Sequence, residues 1–182
     1  MKDILIVWMC FYIFSGVAQA MEDTSEDLNS TSYWNSEQIF NQVGQLNFSR
    51  ASIKDENQQM ILALDYHPKH NCRLKQATIF ILSEEPQTQM LPLSIFGKMQ
   101  IDEQLVHSIE MQVNSHAGDK FIHLIIPRPD LDQLLFSGKN VMFYLNNYGF
   151  MNFSLKNYQN AIRETIPACE QYIFSNEDNK KK

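Results

Sequence analysis

The stretch Gly138–Cys169 reads GKNVMFYLNNYGFMNFSLKNYQNAIRETIPAC, and it predicts a strand, a tight turn, a second strand, a helix and a cysteine in succession. Val141–Leu145 is apolar, β-branched or aromatic throughout. Asn146-Asn147-Tyr148-Gly149 supplies turn chemistry, and Phe150–Phe153 returns as a second strand, so the segment predicts a hairpin. Ser154 is placed to cap a following helix, because its hydroxyl can accept from the free N–H groups of a first turn. Leu155, Tyr158, Ala161, Ile162 and Thr165 fall near one helical face, and Pro167 is expected to end the pattern just before Cys169. A helix of this kind closes a domain, and its cysteine can fasten it down.

Working outward, the other end of the chain carries the features of an export signal. Lys2 precedes the apolar run Ile4–Phe14, and Ala18-Gln19-Ala20 supplies small residues at the −3 and −1 positions of a cleavage site after residue 20. At 1.5 Å per residue the run spans about half of a hydrocarbon layer of roughly 30 Å, which makes an uncleaved anchor the weaker alternative. Residues 21–32 form a polar leader with Glu22, Asp23, Glu26 and Asp27, too poor in apolar side chains to fold alone. A single domain is expected over 33–174 and a disordered polar tail over 175–182. The signal holds one Lys and one Asp, so its removal leaves the formal charge of −6 unchanged. An acidic chain without a basic run argues against nucleic acid and anionic lipid as partners.

Between these ends the chain alternates. Asn35-Ser36-Glu37-Gln38 is read as a possible short helix stopped by Gly44, after which period two takes over. Met60, Leu62, Leu64 and Tyr66 alternate with Ile61, Ala63 and Asp65; Cys72–Leu82 and Met90–Phe96 make further runs. Leu105, His107, Ile109, Met111 and Val113 define one buried face, and Phe121–Ile126 returns after a turn until Pro127 and Pro129 forbid further pairing. Asp130 is placed to cap a short turn through Leu131–Leu135. Short strands at regular spacing with few helices predict an all-β fold, mainly an antiparallel β-sandwich, with a short C-terminal closing helix.

The segment from Leu134 to Cys169 resembles the end of periplasmic proteins of the invasion-associated locus B type and similar secretion-system accessory proteins of the envelope. The matching positions are Gly138, Val141–Leu145, Phe153-Ser154-Leu155, Ala161-Ile162 and Cys169, while Lys156-Asn157 departs from the family pattern. The resemblance implies an all-β periplasmic domain of accessory role, with no catalytic residues to carry over.

The residues that could carry chemistry are few. Cys72 and Cys169 remain after signal removal, in a chain bound for an oxidising compartment, and are expected to pair; two buried free thiols are the alternative. His67, His70 and Cys72 lie within six residues on a turn, where imidazole and thiolate suit zinc or copper, although a closed site needs a fourth ligand. His107 and His123 read as histidines held within strands. Glu84-Glu85 and Asp130/Asp132 are carboxylate pairs on turns, read as solvated charge. The sequons at Asn29, Asn47 and Asn152 are glycan acceptors only in a eukaryotic secretory pathway.

No nucleophile elbow, zincin helix, phosphate-cradling loop or CxxC occurs, and the chain has only six glycines, so neither an enzyme nor a cofactor is expected. The closing hairpin is dense in aromatic residues, and its turn places Tyr148, with Asn147, as the expected exposed protein contact. Together these readings predict an exported, periplasmic or secreted, non-catalytic protein-binding accessory or assembly factor without a transmembrane segment after cleavage. A metal-handling protein using His67 and His70, or an inhibitor or immunity-type protein, are the alternatives.

Overall fold

Among the described residues, nine strands form one antiparallel sheet that is rolled around a core. The computed structural model describes residues 33–57, 59–83, 93–115, 118–146 and 148–179. The strands are β1 (Asn35–Phe40), β2 (Leu46–Lys54), β3 (Met60–His67), β4 (Arg73–Leu82), β5 (Ser94–Ile101), β6 (His107–Val113), β7 (Phe121–Ile126), β8 (Asn140–Leu145) and β9 (Gly149–Ser154). A short helix α1 (Leu131–Leu135) precedes β8, and α2 (Tyr158–Asn179) closes the chain. The lateral order is β1-β2-β3-β4-β7-β6-β5-β8-β9. The fold is therefore all-β with a closing helix, and the inner faces expected of a sandwich come from one continuous sheet. Expectations for residues 1–32, including the signal, the leader and Asn29, lie outside the described residues, as do Glu84, Glu85 and Asn147.

The ladder register shows how alternation builds the core. Ile53, Leu62, Ile79 and Leu124 lie on one lateral row, and Ala51, Leu64, Ala77 and Ile126 on the next. Met111, Ile95, Met99, Phe143, Met151 and Phe153 continue the same face across the far half of the sheet, and all of these side chains are buried in one cluster. The roll brings the two ends of the strand order together. Trp34 Nε1, just before β1, donates to the Ser154 carbonyl of β9 at 2.8 Å, and Asn152 Nδ2 of β9 donates to Glu56 Oε1 at 2.8 Å.

Helix α2 packs on β1, β2 and β3. The face marked by Leu155, Tyr158, Ala161, Ile162 and Thr165 is the buried one, and the ring of Tyr158 meets that of Trp34 edge-on at 4.8 Å. Thr165 Oγ1 hydrogen-bonds Ser36 Oγ at 2.8 Å, and Gln38 Nε2 donates to the Ala168 carbonyl at 3.1 Å. These contacts correct the expected helix at Asn35–Gln38. That polar segment has too few apolar side chains to bury a helical face, whereas as a strand it pairs with β2 and meets Thr165 and Ala168 of α2.

Two further expectations at this end are corrected. Ser154 ends β9, and its hydroxyl accepts from the Lys156 amide at 3.2 Å in a local turn, so it does not cap the helix. The helix starts at Tyr158, after Asn157 adopts φ +64°. Pro167 also does not end it. Proline removes one amide and blocks the carbonyl four residues back, which here belongs to solvent-facing Arg163, and the helix continues on its far side. The bridge at Cys169 and the Gln38 bond to Ala168 hold the turn beyond the proline. Residues 175–179, expected as part of a disordered tail, continue the helical backbone.

Candidate protein-contact face

The cysteines pair as expected: Cys72 and Cys169 form a disulfide with 5.8 Å between their Cα atoms. Asn71 and Cys72 both have positive φ, 53° and 52°, directly after the 3₁₀ turn Pro68–His70. That kink turns Cys72 inward to meet α2, where Cys169 Sγ also lies 3.6 Å from the Tyr66 carbonyl. With Cys72 in the bridge, its sulfur is no longer the thiolate that the HPKHNC reading required as a ligand. The His67 and His70 rings stand 6.2 Å apart, and among the described residues no group of three His, Cys, Asp or Glu side chains converges. Burial first, then the neighbouring His70, Lys75 and Lys69, outweigh the opposing charge of Asp65 and push the pKa of His67 below its ordinary value.

Other residues singled out from sequence take structural places. Asp130 stands at the start of α1 without capping it, because its carboxylate is engaged by the Arg128 guanidinium at 2.9 and 3.2 Å. That hydrogen bond holds its carboxyl below the usual range. His107 is half-buried at the start of β6, and His123 packs against Phe80 at 4.8 Å. Asn47 is exposed on β2, whereas Asn152 is occupied by Glu56. Leu105 is exposed, so the buried face of β6 begins at His107.

The closing hairpin exposes other aromatic residues more fully than the expected one. Tyr148 is half-buried and packs against the core, and burial raises its pKa. The hairpin's alternation sends Val141, Phe143, Leu145, Met151 and Phe153 inward, which leaves Met142, Tyr144 and Phe150 on the outer face. Phe150 is 68% exposed, and its ring lies 4.6 Å from that of Tyr144.

The ladder extends this pair into a face. Ser108, Lys98, Tyr144 and Phe150 occupy one lateral row across β6, β5, β8 and β9, and Met142 pairs with Gln100 on the next. Phe96, 62% exposed, lies one row further along β5 opposite Glu110. Between these side chains is a cleft of about 260 Å³ whose walls include Lys98, Val106, Met142, Tyr144 and Phe150. Lys98 also borders a shallower depression of about 410 Å³ beside Phe96 and Glu110. Its ammonium makes no ion pair among the described residues. The period-two pattern held the signal for this face, because every apolar residue out of phase with the core had to point outward.

A second outward feature had no sequence signature. Arg50 on β2 forms a fork-to-fork pair with Asp65 on β3 at 2.7 and 3.0 Å, between the rings of Phe48 and Phe80 at 4.9 and 5.1 Å. Burial acts to lower the Arg50 pKa, but the bond to Asp65 and its charge prevail and raise it. The pair covers polar surface on the outer face of the sheet and is satisfied within the fold.

Among the described residues, no helix is long and apolar enough to cross a membrane. Compared with protein-family models, with curated proteins and with solved structures, the chain matches none.

Proposed function

We propose that this chain is an exported, non-catalytic protein-binding domain, an accessory or assembly factor of a bacterial envelope or secretion system, working in the periplasm or after secretion. The observation that carries the reading is the outer face of β5, β8 and β9, where Phe96, Met142, Tyr144 and Phe150 stand together around Lys98, which forms no ion pair among the described residues. Clustered aromatic side chains on a rigid sheet lose little conformational entropy on binding and contribute most at protein interfaces. Lys98 at the centre calls for a carboxylate on the partner beside the apolar side chain that fills the cleft. The Cys72–Cys169 bridge supports an oxidising compartment.

The test is site-specific photocrosslinking in the native envelope, with a photoreactive residue in place of Phe150 and, as control, of exposed Asn47. A single protein crosslinked from position 150, not from position 47, and lost with Tyr144→Ser and Lys98→Glu, is the expected result. Equal labelling from both positions refutes it. An inhibitor or immunity-type role would use the same face, and the identity of the crosslinked protein separates the two.

A further inference from the structure

Away from the outer face, the start of β4, α1 and α2 enclose a cleft of about 600 Å³, within the roughly 300–1,000 Å³ range of small-molecule sites. Arg73 and Leu74 form one wall, Asp132 and Gln133 of α1 another, and Ile166 of α2 a third, with Tyr66, Pro129 and the bridged Cys72 completing the lining. The two charged side chains stand on different elements. Neither forms an ion pair among the described residues.

Asp132 accepts the neighbouring Gln133 amide at 2.8 Å. Its carboxyl is pushed up by burial first and by the charge of Asp130, as expected for a carboxylate that lacks a counter-cation. Tyr66 is fully buried. Its hydroxyl faces Tyr158 and Asp132 without completing a hydrogen bond of good geometry to either. Burial and the Asp132 charge raise its pKa, so it stays a neutral phenol.

We propose that this cleft binds a small zwitterion with an apolar body, of the class of a free amino acid or a dipeptide. The carboxylate of such a ligand pairs with Arg73, its ammonium neutralises Asp132, and its apolar part lies on Leu74, Pro129 and Ile166. A simple anion would meet Asp132 and a simple cation would meet Arg73, so a ligand carrying both charges matches the walls where either alone does not.

The test uses the full mature chain with glycyl-leucine as probe and the same dipeptide blocked at both ends as control, followed by calorimetry and amide chemical shifts. The expected result is shifts at Arg73, Leu74, Asp132 and Ile166, with the free dipeptide binding at least about tenfold more tightly than the blocked one. Arg73→Gln and Asp132→Asn, checked for folding by circular dichroism, each lower that affinity by about tenfold or more. Equal affinity for free and blocked dipeptides, affinity that survives both substitutions, or no shift at about 10 mM probe overturns the proposal.

Discussion

Replacing both bridge cysteines by alanine is the sharpest perturbation of this fold. The Cys72–Cys169 bond closes a loop with a sequence separation of 97, for which loop-closure entropy gives a stabilisation of about 4.7 kcal/mol. The structure adds a local effect. Upstream of the bridge, α2 is held by Tyr158 on Trp34, by Ala161 and Ile162 in the core and by the Thr165–Ser36 hydrogen bond. Beyond Pro167 the Gln38–Ala168 hydrogen bond ties it to β1, and the bridge supplies the covalent restraint. The double variant avoids the mispaired thiol that a single substitution leaves. It is expected to unfold in urea with about 4–5 kcal/mol less stability, and to melt roughly 10–20 °C lower for a chain of this size. Hydrogen exchange adds a spatial readout: amides after Thr165 lose protection, while those of β3 and β4 change only with global stability. A double variant within about 1 kcal/mol of the wild type, with α2 still protected, refutes the reasoning and shows that packing alone retains the helix.

Three other outcomes follow from contacts in the sheet. A Cβ at Gly97 would lie 2.6 Å from the backbone oxygen of Tyr144 and run into Leu145; backbone cannot yield as a side chain tip can, so Gly97→Ala should lower stability by about 1–3 kcal/mol in urea unfolding. Asp102, at φ +48°, accepts the Lys139 and Asn140 amides at 2.8–3.1 Å, and Asp102→Ala should cost about 1–3 kcal/mol, measured in the same way. The folded-state pKa of His67 lies below its ordinary value, chiefly through burial, so protonation favours the unfolded chain. The contribution is complete above the unfolded pKa of about 6.5 and is lost as pH falls through the folded pKa. His67→Phe, which keeps a ring against Phe48, should therefore lose less melting temperature than the wild type between about pH 7.5 and pH 5; parallel pH profiles would refute this.

What the sequence by itself determined are the features written in local periodicity and residue chemistry. Alternation located the buried face of β6, an apolar run, a turn and a returning run located the β8–β9 hairpin, a 3.6-residue period located the buried face of α2, and the two cysteines announced their bond before any geometry was known. Each depends on neighbours within a few positions, where a strand or helix imposes its repeat whatever it later packs against.

Tertiary structure decided the rest. The polar segment Asn35–Phe40 became a strand because β2 offered an edge and α2 offered Thr165 and Ala168, partners about 130 residues away. Helix α2 passed Pro167 because a bond to Cys72 lies beyond it, outweighing a local preference to stop. Tyr148 is half-buried because its ring packs against the core, whereas Tyr144 and Phe150 fall on the outer face. The cleft joining Tyr66, Arg73, Asp132 and Ile166 exists only once β3, β4, α1 and α2 are assembled. Side chains so far apart in the chain leave no periodic trace of meeting, since their proximity is set by how the whole sheet rolls and not by the backbone between them.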